Sequence, residues 1–268
     1  MPLPLPISFL SDYGHDDEFV GICHGVIQRI APGAVVIDLA HGLTRHAIRP
    51  AAFVLRDSLP YLPPGVHLAV VDPGVGTGRR AVALRCGDRF LVGPDNGLLE
   101  PAAEILGGVD AAVDLAAGPW QLEPVSATFH GRDVFAPAAA HLALGEQLGV
   151  GGTPLEPDVL VRLERRPPRT DPGTLTAHVA GVDGYGNVRF EAGADDLAAA
   201  GIELGQEVSV QGHEARFGRT FVDAGGGAGR LVLYVDSFGA VAVAVNGGDA
   251  AAELGLSAGD EVAISRPR

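Results

Sequence analysis

His67-Leu68-Ala69-Val70-Val71-Asp72-Pro73-Gly74-Val75-Gly76-Thr77-Gly78-Arg79-Arg80 opens as a short apolar run of strand type. It stops at an Asp-Pro pair and then places three glycines within five residues. In an open α/β sheet the carboxyl end of a strand is where ligands sit, because the loop there is exposed and ringed by other strand ends. Glycine lets such a loop take positive φ and approach a ligand closely. An acid opens this loop and two arginines close it, so opposite charges can meet across one small pocket. The same residues also suit an ordinary glycine-rich turn carrying a solvated ion pair.

Upstream, Ile7-Ser8-Phe9-Leu10 reads as a first strand ending in Ser11-Asp12-Tyr13-Gly14. Phe19, Ile22, Cys23, Val26, Ile27 and Ile30 then recur at helical spacing, with Asp16, Asp17 and Glu18 at the end where the helix dipole favours acids. Val35 to Leu39 is a second strand, and a helix follows through Ala51, Ala52, Leu55 and Leu59. Strand, helix, strand, helix, strand is the pattern of a mainly parallel sheet with crossover helices. Downstream, Ala81 to Cys86 and Arg89 to Val92 flank Gly87-Asp88, a hairpin signal. Gly93-Pro94-Asp95-Asn96-Gly97 turns into another helix. Ser126 to Asp133 is a polar loop before a helix from Val134 to about Leu144.

Arg165 to Gly173 is charged and proline-rich, which marks a domain boundary. The organisation read here is an α/β domain over 1–165, a linker over 166–173 and a second domain over 174–268. In that last part, 175–182, 208–211, 230–235, 240–245 and 261–264 are short β-type runs between Gly, Asp and Asn turns. They point to a small barrel or sandwich.

Composition narrows the function. The 268 residues carry a net charge of −14, and every basic side chain is arginine. An acidic surface argues against nucleic acid or an anionic membrane as partner, and a lysine-free chain has no Schiff-base or P-loop lysine chemistry. No apolar run approaches the roughly 20 residues that span a bilayer. Met1 to Pro6 has neither a basic nor a long apolar segment, so no secretory leader is expected. Two cysteines, Cys23 and Cys86, are too few for a disulfide framework, and a cytoplasmic location is expected. Asp12, His15, Asp16 and Asp17 cluster, as do His41 and His46, but neither group has a defined ligand spacing, so no metal is expected.

Taken in order, Ser11-Asp12-Tyr13-Gly14, the Asp72 loop, Gly93 to Leu99, Thr128-Phe129-His130-Gly131-Arg132-Asp133, Asp183-Gly184-Tyr185-Gly186-Asn187, Thr220-Phe221-Val222-Asp223 and Asp236-Ser237-Phe238-Gly239 through Asn246 resemble one family. It is the S-adenosyl-L-methionine hydroxide adenosyltransferases, relatives of the fluorinases and chlorinases, and the resemblance spans nearly the whole chain. It implies an N-terminal α/β domain, a C-terminal β-barrel, and a homotrimer whose active sites lie between subunits. It also implies a hydrolase converting S-adenosylmethionine and water to adenosine and methionine, without a cofactor, through an Asp-Arg-His triad. By position the triad corresponds to Asp72, Arg79 and His130, with Arg80 the other candidate arginine.

The same resemblance assigns Asp12 to the ribose hydroxyls and Asp183, Tyr185 and Asn187 to the methionine end. It gives Ser237, Phe238 and Asn246 to the adenine, and lets Phe129 pack on the substrate. Each has a plainer role open to it: a turn or cap for Asp12, a hairpin turn for 183–187, a strand edge for 237–246, core for Phe129 and Trp120. The halogenating relatives carry an uncharged residue where Asp72 stands. Their fluorinase branch has an extra loop in place of the short Gly87-Asp88 turn. Both departures favour water over halide. The alternatives are a halide-using adenosyltransferase and a non-catalytic adenosine or S-adenosylmethionine sensor.

Overall fold

The computed structural model describes residues 3–224 and 229–267, and the chain divides into two units, Met1–Leu163 and Glu164–Arg268. The first unit runs β1 (Ile7–Ser11), α1 (Phe19–Ile30), β2 (Val36–Ala40), α2 (Ile48–Ser58), β3 (Val66–Val70), β4 (Ala81–Cys86), β5 (Arg89–Pro94), α3 (Glu100–Ile105), β6 (Ala111–Asp114), α4 (Ala136–Ala143) and β7 (Thr153–Leu155). Its sheet has the order β2-β1-β3-β5-β4-β6-β7. The β2-β1-β3-β5 half is parallel, and the strands from β5 through β4 and β6 to β7 pair antiparallel.

Alternation along the strands builds two cores. In β3, Val66, Leu68 and Val70 pack with Cys23, Val26 and Ile27 of α1 and with the alanines of α4. Ala69 and Val71 point the other way, onto Ala51 and Leu55 of α2 and Ala102 of α3. A strand covered on both faces reads as a continuous apolar run, which is why 67–71 shows no polar alternation. Burying each Val or Ile of this kind contributes about 1.5–3 kcal/mol. His67 is the polar exception: Ser8, its register partner on β1, places Oγ 2.8 Å from His67 Nδ1. Burial holds this imidazole down at about 4, so it is neutral in the fold.

The second unit contains β8 (Arg169–Asp171), β9 (Thr174–Val182), β10 (Val188–Gly193), α5 (Ala194–Ala199), β11 (Glu207–Val210), β12 (His213–Phe217), β13 (Leu231–Val235), β14 (Ala240–Val245), α6 (Ala250–Leu254) and β15 (Glu261–Ser265). β9 pairs with β15 along its first half and with β10 along its second. That closes the ring β10-β14-β13-β12-β11-β15-β9 into a seven-strand barrel and leaves β8 as an extra strand on β9. Closure removes sheet edges. It also decides for the barrel over the sandwich. β10 and β12 are strands that the sequence pattern did not mark, and β8 lies inside the stretch read as a linker.

Candidate active site

The site is assembled where β1 and β3 end. Asp12 follows β1 directly, and its Oδ2 accepts the His46 backbone N–H at 2.8 Å. Asp72 follows β3. The glycine loop after it folds back on itself, with Thr77 N and Thr77 Oγ1 both donating to the Gly74 carbonyl, at 3.1 and 2.6 Å. This return brings Arg79 onto the acid seven residues earlier.

Arg79 Nε donates to Asp72 Oδ1 at 2.8 Å, and Nη2 donates to Asp72 Oδ2, a bidentate pair. Nη2 also lies 3.0 Å from His130 Nδ1. An arginine nitrogen only donates, so Nδ1 is the acceptor there. The guanidinium rests over the Phe135 ring, 5.1 Å from its centroid. Both charged side chains are nearly enclosed, Asp72 at 7% and Arg79 at 10% exposure.

His130 is brought in by a different element. A π-helical turn over Gly131–Phe135 precedes α4, and His130 is its N-terminal flank. Buried Asp133 anchors the approach, accepting from Ser126 N at 2.8 Å and from Arg132 Nε at 2.6 Å. Burial alone would raise the Asp133 carboxyl, but these hydrogen bonds outweigh it and hold it below its usual range. Two glycines let the segments meet. A side chain at Gly131 would strike the Tyr13 hydroxyl, and Gly76, at φ +74°, sits against the Ala127 carbonyl. Burial lowers the His130 pKa below 6.5, and the Arg79 cation lowers it further. The imidazole is therefore neutral at neutral pH.

Beside this constellation is a cleft of about 300 Å³ lined by Asp12, Tyr13, Phe19, His46, Asp72 and His130, among others. Tyr13, Arg45 and Thr128 carry no site assignment from the sequence, and Phe19 is read there only as part of the apolar face of a helix. Tyr13 and Thr128 lie in the quoted motifs, and Arg45 adjoins His46. Burial first, then nearby anionic groups including Asp72 and Asp12, raise the Tyr13 phenol well above 10, so it keeps its proton. Phe129 does not line the cleft; it packs edge-on to Phe19 and Tyr13, with centroids at 5.1 and 5.8 Å. Arg80 turns away to Asp95, Nη2 to Oδ2 at 2.6 Å, and to the Val159 carbonyl at 2.5 Å. Trp120 is core, its Nε1 donating to Glu146.

In the barrel unit, Asp183, Tyr185 and Asn187 share the β9–β10 loop. Asp183 Oδ1 accepts from Tyr185 N and Asn187 N, and Oδ2 accepts from Asn187 Nδ2. The Tyr185 ring is left 82% exposed. Ser237 and Phe238 sit in the β13–β14 turn, where Arg189 covers the Phe238 ring at 5.1 Å. Asn246 lies at the opposite end of β14, so the three residues assigned to adenine do not form one cluster within the unit.

Fold and site define a protein with an α/β unit followed by a barrel, and with a part-buried acid–arginine–histidine constellation at the carboxyl end of its parallel strands. The family model for the SAM hydroxide adenosyltransferase N-terminal domain matches residues 7–152, and that for the C-terminal domain matches 177–263. The chain belongs to the SAM hydroxide adenosyltransferase family. It is 50% identical to the (R)-S-adenosyl-L-methionine hydrolase of Salinispora arenicola, over 97% of each chain. A fluorinase of an Actinoplanes species is more distant, 29% identical over 97% of each. A crystal structure of an uncharacterized conserved protein from Thermotoga maritima superposes with a TM-score of 0.88 at 36% identity, covering 97% of this chain and all of that one. Among the described residues no helix is long and apolar enough to cross a membrane.

Proposed function

We propose that the protein hydrolyses S-adenosyl-L-methionine, in the (R) form that the name of its hydrolase relative carries, to adenosine and L-methionine. The observation that carries this reading is the Asp72–Arg79–His130 constellation beside a cleft that also takes in Asp12. Water attacks the ribose 5′ carbon. The new O–C5′ bond forms as the C5′–S bond breaks, and the sulfonium leaves as the neutral methionine thioether. No general acid is needed, so the enzyme's work is to align a water and receive its proton. Orientation contributes about 7–11 kcal/mol in well-aligned systems.

His130 is the group suited to take the proton. Arg79 stays charged and only donates, and Asp72 is held by both arms of Arg79, whereas neutral His130 can exchange its single Arg79 contact, the 3.0 Å Nη2–Nδ1 hydrogen bond, for one from water. As that contact opens, an entering water accepts from Nη2 and donates to Nδ1. Asp72 holds Arg79 in register and adds negative charge near a cationic substrate. Asp12 is assigned to the ribose hydroxyls. The reading includes a cytoplasmic homotrimer without a cofactor, in which Asp183, Tyr185, Asn187, Ser237, Phe238 and Asn246 of a neighbouring copy meet the methionine and adenine ends. The chain's two-residue Gly87-Asp88 turn and the Asp72 carboxylate both weigh against a halide nucleophile.

The test is incubation with each epimer of S-adenosylmethionine in ¹⁸O-labelled water at low halide, read by mass spectrometry. Adenosine carrying one heavy oxygen, formed from the (R) form and lost in Asp72→Ala and His130→Ala, is the expected result. Tight adenosine binding beside unchanged substrate would replace the hydrolase with a sensor. A 5′-halo-adenosine product on adding chloride or fluoride would replace water as nucleophile.

A further inference from the structure

On the flank of the same unit, the crossover from β1 to β2 brings together three side chains that sequence spacing does not connect. His24 lies on α1, Asp38 on β2 at the sheet edge, and His41 immediately after β2. His24 Nε2 is 2.8 Å and His41 Nε2 2.9 Å from the same Asp38 Oδ1, and the three atoms all lie within 4.8 Å of one another. The sequence alone paired His41 with His46, which the structure instead places in the substrate cleft.

We propose that His24, Asp38 and His41 form a binding site for a zinc-class divalent cation. Two imidazoles and one carboxylate are the donor set that suits Zn²⁺, and cobalt binds the same ligands. Ligands about 2.1 Å from a tetrahedral metal stand about 3.4 Å apart, so each imidazole–carboxylate contact needs to open by about half an ångström to admit one, and the two imidazole nitrogens already lie within 4.8 Å of each other. The deepest ligand is already oriented. His41 is buried, its Nδ1 is 2.7 Å from Ser11 Oγ, and its ring packs edge-on to Phe9 at 4.6 Å. A partner on the second ring nitrogen that aims the first at the metal is how metal-ligating histidines are held. The outer side is open, with Asp38 47% and His24 31% exposed, which supplies an entry path and room for water as fourth ligand.

The site is separate from the cleft, which none of the three lines, but it is tied to the loop that carries Asp12. Ser11 precedes that acid, and the His41 carbonyl accepts the Gly14 N–H at 2.7 Å. A bound cation would therefore brace the Asp12–Tyr13 loop from behind.

The experiment uses tag-free, chelator-treated protein without substrate, titrated with Co²⁺ and read by visible d–d absorption, then with Zn²⁺ in competition. One Co²⁺ per chain with a tetrahedral spectrum, displaced by Zn²⁺, is expected. His24→Ala and Asp38→Asn change the exposed members and leave buried His41 in place. Each is expected to weaken binding by at least about tenfold, the size of loss seen when only an outer partner of a ligand is removed. Circular dichroism of the variants separates lost ligation from lost fold. No Co²⁺ spectrum in the wild type, or binding retained by the folded double variant, would overturn the proposal and leave a hydrogen-bonded His–Asp–His bridge.

Discussion

Arg79 and Arg80 are neighbours in the chain, and each forms an ion pair with an acid at the end of a strand, yet they serve different regions. Arg79 meets Asp72 after β3 and reaches on to His130, fifty-one residues away, at the edge of a cleft. Arg80 meets Asp95 after β5 and the Val159 carbonyl, where Asp95 Oδ1 also accepts the Val161 N–H. The first region ends on the imidazole proposed as the proton acceptor. The second ends on backbone groups of the segment leading out of the unit. A buried arginine–carboxylate pair is thus no sign of function by itself; what the arginine touches beyond the carboxylate decides.

The largest effect that should separate the two regions is on turnover. His130→Ala removes the proposed base and should lower kcat by about 10²–10⁴-fold, with Asp72→Ala in the same range. His130→Ala should shift the midpoint of thermal unfolding less than an Asp95-region change does, whereas Asp72→Ala strands the enclosed Arg79 cation and should lower the midpoint at least as far. Arg80→Gln is the counterpart. It should leave kcat per folded molecule near wild type and cost about 2 kcal/mol of stability, read by urea unfolding. That sits below the usual penalty for breaking a buried pair because Arg80 is one-third exposed. If Arg80→Gln abolishes turnover in folded protein, the division between the regions fails.

Much of the first region was legible. Strand ends marked by Asp-Tyr-Gly, Asp-Pro-Gly and a polar run before a helix placed Asp12, Asp72 and His130 on the loops that do converge. Position favoured Arg79 over Arg80 but left both open, because consecutive residues of an extended chain point to opposite sides and only the partners reveal which side is the cleft. β10 and β12 escaped because they are short and half-buried: Arg189, Glu191, Glu214 and Arg216 alternate with the apolar residues, so no continuous apolar run marks them. The barrel's closure depends on β9 changing partners midway, which no local pattern encodes. The His24–Asp38–His41 cluster was hidden for a related reason: a helical turn, an edge strand and its following loop meet only through the crossover.

The finest distinction concerns how His130 is held, and it can be read without turnover. Burial sets the main depression of its pKa, Arg79 adds to it, and Asp72 opposes it. Removing the cation in Arg79→Gln should therefore raise the His130 pKa, and neutralising the acid in Asp72→Asn should lower it, as followed by NMR of labelled imidazole. In the wild type, kcat/KM should stay level through neutral pH and fall in acid below 6.5, where protonation removes the acceptor. The fall should come at lower pH than for a free histidine, because the folded site disfavours the cation. The matching titration for the second region is silent, since among the described residues Arg80 and Asp95 pair with each other and with backbone groups rather than with an imidazole. Shifts of the same sign in both variants would mean that the Nη2–Nδ1 contact is not maintained in solution, and proton acceptance would then have to be reassigned to Asp72.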